Sequence, residues 1–195
     1  TPEENARMLL EGLPEQSTTF DVVTHSRGGL VLRNLVERAA QFGALSRRFK
    51  LGRAVLVASP NDGTPLATPK RWDETVGWLA NLLEIFPDNP FTTGSAFVAD
   101  GLVWLASHAS GDIPGLHSMD GEGSMIATIQ SPPGPPATAY SALVANYHPT
   151  DGILHRLLDV GLDQFFGSAN DLVVPSEGGW RIDPTASTFI PAGRI

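Results

Sequence analysis

One stretch near the N-terminus constrains the fold more than any other part of the chain. A short β-prone run at residues 20–24, FDVVT, ends abruptly at residues 25–29, HSRGG. Apolar residues then recur at helical spacing over residues 32–40. The chain therefore has to pass from a strand directly into a helix, and Ser26 lies at the turn between them.

Regular alternation of elements surrounds this turn. Thr1, Pro2 and Glu4 carry the signature of a helix start, with a capping residue, a proline in the first turn and a capping-box glutamate. Residues 54–58, AVLVA, form an apolar run typical of a strand buried on both faces, and residues 140–147 predict another strand. Helices alternating with strands predict an α/β fold with a mostly parallel sheet and crossover helices.

A different pattern begins at residue 64. Strand signals disappear until about residue 110, and tryptophans and leucines recur there at helical spacing. We expect a helical cap or lid insertion at residues 64–120, within a single domain that spans residues 1–195. The insertion is expected to cover the edge of the sheet near the strand–helix turn.

Composition excludes several classes of partner. The formal net charge of -8 repels phosphate backbones, so no nucleic-acid partner is expected. No apolar run reaches about 18 residues, so no transmembrane segment is predicted. The chain has no cysteine, which excludes a disulfide or thiolate site, and no residue spacing is typical of a metal site. Compartment and oligomeric state are not predicted.

The strand–helix turn fits the chemistry of a nucleophilic serine. A serine hydroxyl is a weak nucleophile unless it is exposed, held in place and supplied with a base. A sharp turn between strand and helix lifts the hydroxyl of Ser26 above the sheet. It also points the backbone N–H of Arg27 at an oxyanion near the helix N-terminus, while the small residues Thr24 and Gly28 permit close packing. The alternative is an ordinary glycine-containing turn without catalytic function.

Three segments carry a resemblance to a known family. Residues 21–31, DVVTHSRGGLV, resemble the nucleophile elbow of lipase-like α/β-hydrolases. Residues 59–67, SPNDGTPLA, resemble the segment after the next strand in triacylglycerol-lipase relatives, and residues 170–175, NDLVVP, resemble the turn with the triad acid. Thr24 and Leu172 depart from this pattern, because both stand where glycine is usual. The resemblance implies a partial α/β-hydrolase fold.

The resemblance also implies a reaction. It makes Ser26 the nucleophile, Asp171 the triad acid and the Arg27 N–H an oxyanion donor, in an enzyme that cleaves small-molecule or lipid esters without a cofactor or metal. For Asp171, the alternative is an aspartate that caps its own turn. A thioesterase, amidase or acyltransferase on the same elbow stays open, as does a catalytically inert hydrolase-like binding module.

The chain has no histidine at the position in the sequence where the resemblance implies the catalytic base. None of the five histidines follows Asp171, so we expect the catalytic histidine beyond Ile195 and the second oxyanion donor before Thr1. The chain by itself is therefore expected to be inactive, as a piece truncated at both ends. His148 is the best internal candidate because it follows a predicted strand, whereas His25 is expected to be a packed core histidine.

Overall fold

The computed structural model describes residues 1–68, 114–130, 140–145, 169–171, 173–181 and 190–195. The helices of these residues are α1 (Pro2–Gly12), α2 (Gly28–Glu37), α3 (Pro114–His117), α4 (Ser124–Gln130) and α5 (Ser176–Trp180), and the strands are β1 (Thr18–His25), β2 (Phe49–Val57) and β3 (Tyr140–Leu143). Three 3-10 segments complete them, Ala39–Arg48, Pro65–Ala67 and Ala192–Arg194.

The three strands form one parallel sheet in the order β1-β2-β3. The register pairs His25 with Val57 and Val57 with Leu143, so the carboxyl ends of all three strands lie at the same edge. The expectation of an α/β chain with a parallel sheet is therefore confirmed for these residues. Strand β3 is shorter than the predicted run at 140–147, and its last predicted residues lie outside the described part.

Helix α1 forms as its first residues predict. The hydroxyl of Thr1 accepts the N–H of Glu4 at 3.2 Å, and the Glu4 carboxylate accepts from the Thr1 amino group at 2.7 Å. This reciprocal arrangement satisfies donors that the first turn of a helix leaves free. Ala6 and Leu10 are buried, and the helix packs against α2. The predicted helix start is confirmed.

The sheet buries one face more deeply than the other. Ala54 and Leu56 of β2 are buried, but Val55 and Val57 are only half-buried, and Val23 of β1 is 75% exposed. The expectation that this run of β2 is buried on both faces is wrong. Parallel connections are right-handed, so successive crossovers in the order β1-β2-β3 place their helices on the same face.

A buried ion pair lies on the inner face of α2. The side chains of Arg33 and Glu37 are 0% and 1% exposed, and their two bonds measure 2.8 and 3.2 Å. Arg33 also donates to the carbonyls of Asn61 at 3.2 Å and Ile129 at 3.3 Å, and the Tyr140 hydroxyl donates to Glu37 at 3.3 Å. The pair thus joins α2 to the loop after β2, to α4 and to β3.

Burial dominates the electrostatics of this pair. Desolvation raises the pKa of the Glu37 carboxyl, and the guanidinium of Arg33 opposes that rise. Burial also raises the pKa of the Tyr140 hydroxyl, and the nearby Glu37 raises it further. Because two charges lose their water here, either one left alone would be strongly destabilising.

Most of the predicted cap at residues 64–120 lies outside the described residues, which include only 64–68 and 114–120 of it. The first of these contains a 3-10 turn and the second contains α3. Among the helices of the described residues, none has the length and apolar character needed to cross a membrane.

We predict that Arg33→Met lowers the free energy of unfolding by about 3–5 kcal/mol, because it leaves the Glu37 carboxyl buried without its counter-charge. The double variant Arg33→Met/Glu37→Leu should lose less than Arg33→Met alone. Urea unfolding of both measures this, with Arg47→Met, at an exposed position, as the control that changes stability by no more than about 0.5 kcal/mol. A double variant less stable than Arg33→Met would contradict the prediction.

Candidate active site

Ser26 occupies a strained turn between β1 and α2. Its φ of 52° lies in the left-handed region, which costs a residue with a side chain about 1–2 kcal/mol. The Ser26 N–H donates to the carbonyl of Val57 at 2.9 Å, and its own carbonyl accepts the N–H of Gly29 at 3.0 Å. The expectation that this serine lies in an unusual backbone conformation at a strand–helix junction is confirmed.

Two backbone donors after Ser26 have no acceptor among the described residues. Residues 29–31 donate their N–H groups back to the carbonyls of Ser26 and Arg27. The N–H groups of Arg27 and Gly28, in contrast, have no acceptor within the described part of the chain. They lie at the N-terminus of α2, where the helix dipole favours negative charge. This arrangement can bind an anion beside Ser26.

Close packing behind the turn explains its glycines. A Cβ added to Gly29 would lie 2.2 Å from Ser59 Oγ and 2.6 Å from Ser59 Cβ, so no side chain fits there. A Cβ added to Gly28 would lie 3.6 Å from Thr24 Cβ, which is an ordinary contact. Thr24, which stands where the lipase-like elbow usually has glycine, is therefore compatible with the turn.

The end of β2 repeats the geometry of the end of β1. Ala58 has a φ of 45°, and its N–H donates to the Leu143 carbonyl at 3.0 Å, as that of Ser26 does to Val57. Ser59 follows, 1% exposed, and its hydroxyl has no hydrogen-bond partner within the described ranges. Nothing in the sequence singles out this serine, because its position beneath α2 depends on the pairing of β1 with β2.

Asp171 caps its own turn. Its Oδ1 accepts the N–H groups of Val173 at 2.9 Å and Val174 at 2.6 Å, and its own N–H donates to the Val174 carbonyl at 3.2 Å. This is the alternative function that the sequence left open for the residue. Both side-chain bonds use Oδ1, and Oδ2 accepts none from the described residues. The carboxylate can therefore cap the turn and still present one oxygen to a further donor.

The turn of Asp171 is attached to the edge of the sheet where Ser26 lies. The Thr64 hydroxyl donates to the carbonyl of Val173, and the Asn61 amide donates to the carbonyl of Gly179 at 2.7 Å. Both donors belong to the loop that follows β2. The structure thus brings Ser26 and Asp171 to the same edge of the sheet, without a hydrogen bond between them.

Comparison with known proteins gives a family. The family model of a domain of unknown function, DUF7379, matches residues 1–194. The chain belongs to the DUF7379 family. A search of curated proteins finds no match. The family description contains no activity, so the chemistry of this DUF7379 domain has to be inferred from the site itself.

The histidines of the DUF7379 domain give a mixed result. His25 is exposed, so the expectation of a packed core histidine is wrong. It alternates with the half-buried Thr24 and lies on the open face of the sheet with Val23. No histidine in the described ranges forms a hydrogen bond with Ser26 or Asp171. His148, His108 and His155 lie outside those ranges, whereas His117 lies in α3.

A cavity of about 300 Å³ lies beside this edge of the sheet. Its walls come from the loop after β2, residues 121–122 and residues 175–181, and Ser26 does not line it. Within the described residues, no three histidine, aspartate or glutamate side chains converge as metal ligands. The geometry therefore gives no reason to place a reacting ester or a metal in this cavity.

We predict that Gly29→Ala destabilises the domain by about 1–3 kcal/mol, because the new methyl group overlaps the side chain of Ser59. Adding Ser59→Gly removes both overlapping atoms and should recover part of the loss. Gly12→Ala is the matched control, since nothing lies within 4 Å of its Cβ position and alanine suits a helix. Thermal unfolding compares the variants. A Gly29→Ala protein as stable as wild type would refute the close packing of Gly29 against Ser59.

Proposed function

We propose that this chain carries the nucleophile and the triad acid of a serine hydrolase with an α/β-hydrolase fold, which cleaves carboxylic esters. The observation that supports the proposal is the left-handed turn of Ser26 between a parallel strand and a helix. It is followed by two N–H groups for which the described ranges offer no acceptor. A serine hydroxyl held in this way projects above the sheet next to donors for an oxyanion.

The proposed reaction proceeds through an acyl-enzyme. Ser26 Oγ attacks the ester carbonyl, its proton passes to a histidine base, and the negative oxygen receives the N–H of Arg27. The C–O bond then breaks, the alcohol leaves with the proton, and water hydrolyses the acyl group to restore Ser26. Asp171 is proposed to orient the histidine. The reaction requires no cofactor in this proposal.

A cap at residues 64–120 belongs to the same proposal. The two described ends of this segment meet, because the Thr64 N–H donates to the Met119 carbonyl at 2.8 Å and the Thr68 hydroxyl donates to Asp120 at 2.9 Å. The segment thus leaves and rejoins the fold at one place, beside the edge that carries Ser26. That arrangement supports an insertion that shapes a cleft for a small-molecule or lipid ester.

An inert binding module is the competing function. The observation that favours it is that no hydrogen bond joins a histidine of the described residues to Ser26 or Asp171. A thioesterase, amidase or acyltransferase would use the same elbow, since the turn itself does not select the acyl donor or acceptor. Reagents for activated serines separate the inert module from all of the catalytic alternatives.

We predict that a fluorophosphonate labels Ser26 in the full-length protein, and that Ser26→Ala abolishes both the labelling and the hydrolysis of nitrophenyl esters. Intact-protein mass spectrometry and release of nitrophenol measure the two effects. Ser46→Ala is the control, because its hydroxyl donates to Gly43 in the 3-10 segment before β2, at the other edge of the sheet. A folded full-length protein that resists the reagent would favour the inert module.

We predict that Asp171→Asn reduces kcat/KM by about four orders of magnitude, because the neutral amide no longer holds the histidine in the productive tautomer. The amide oxygen of asparagine can still accept from Val173 and Val174, so the melting temperature should stay close to that of wild type. Asp171→Ala, which also removes the cap, should lower both. Unimpaired hydrolysis by Asp171→Asn would leave Asp171 with its turn-capping function alone.

A further inference from the structure

The side chain of Arg27 lies against the start of α3. A Cβ added to Gly115 would lie 3.1 Å from Arg27 Nη1 and 3.6 Å from Cζ. Any larger residue at position 115 would therefore crowd the guanidinium, and glycine leaves room for it. The Arg27 residue is half-buried, so its side chain is partly withdrawn from water.

This guanidinium has no partner in the described part of the chain, although the sequence has 21 acidic and 13 basic residues. Some other arginines are paired: Arg53 binds Asp21, and Arg181 binds Glu177. The half-buried Arg38 and the exposed Arg47 form no salt bridge among the described residues. Arg33 binds Glu37 in the core. A partly desolvated charge without a compensating group loses free energy, so a ligand with negative charge would stabilise the guanidinium of Arg27.

The position of the guanidinium connects it with the reaction. Arg27 adjoins Ser26 in the chain, and consecutive Cα atoms lie about 3.8 Å apart, so the guanidinium is attached to the residue next to the proposed nucleophile. The N–H groups of Arg27 and Gly28, which bond to no acceptor in the part of the chain that the structure describes, add to the positive potential at the N-terminus of α2. A negative group on a bound substrate would gain from this field, whereas an uncharged acyl chain would not.

We propose that the guanidinium of Arg27 recognises a carboxylate or phosphate group on the ester substrate. The substrate class is then an ester with an anionic group close to the scissile bond, rather than a neutral glyceride. This inference rests on the proposed hydrolase function, and it gives Arg27 two separate functions: its backbone N–H serves the oxyanion, and its side chain serves specificity.

The first test compares two nitrophenyl esters of equal chain length, the monoester of glutaric acid and the ester of valeric acid. The wild-type full-length protein should prefer the charged ester, and Arg27→Gln should reduce the ratio of the two kcat/KM values about tenfold or more, as expected for the loss of one charge-assisted hydrogen bond. Because a ratio is compared, an effect common to both esters cancels. Arg27→Lys should keep part of the preference, since it keeps the charge without the planar fork.

Arg47→Gln is the matched control. It removes the same charge from an exposed position in the 3-10 segment before β2, at the opposite edge of the sheet, and it should leave the ratio unchanged. A wild-type ratio near one, or a ratio that Arg27→Gln does not alter, would overturn the inference.

The second test measures binding without turnover. Monomethyl glutarate and monomethyl phosphate are titrated into the full-length protein while the Nε–H resonance of Arg27 is followed, with dimethyl glutarate as the neutral probe. The two anions should shift the resonance and the neutral ester should not; a shift with only one of them identifies the anion, and no shift with either contradicts the inference. If fluorophosphonate labelling of Ser26 fails while the anions still shift Arg27, the hydrolase proposal fails and the anion site stands.

Discussion

The buried pair of Arg33 and Glu37 holds the candidate site together. It lies on the helix that follows Ser26, and it reaches the loop after β2 through the carbonyl of Asn61. The amide of Asn61 in turn binds the carbonyl of Gly179, in the segment that follows Asp171. One desolvated ion pair and one amide thus contribute to linking the helix after the proposed nucleophile with the segment after the proposed acid, beside the bond from Thr64 to Val173. A core of aliphatic side chains alone would not impose such directional contacts.

Local signals in the sequence predict local structure well in this chain. Three predicted features form: the capping box of Thr1 and Glu4, the strand before Ser26 and the helix after it. Each of them depends on residues that are close together in the sequence. The α/β class with a parallel sheet follows from their alternation. The backbone strain at Ser26 is predictable for the same reason, since the strand and the helix leave no room for a relaxed turn.

Features that depend on distant residues could not be predicted. Arg33 lies among leucines on the buried side of α2, and nothing in its neighbourhood along the chain reveals the carbonyls of Asn61 and Ile129 that receive it. The incorrect expectation for His25 has a similar origin, because its exposure depends on which face of the sheet the crossovers cover. The sequence of the turn around Asp171 likewise does not predict whether this aspartate also orients a histidine.

The joined ends of the segment after residue 68 have a consequence for how such a chain can diverge. Thr64 and Thr68 on one side are hydrogen-bonded to Met119 and Asp120 on the other. The chain that connects to the sheet is therefore closed at these residues, whatever the length of the segment between them. The entropy of closing a flexible loop grows only with the logarithm of its length, and each doubling adds roughly 0.6 kcal/mol. A change in the number of residues between 68 and 119 would thus cost the rest of the fold little free energy, which makes the junction a position where this chain tolerates insertions and deletions.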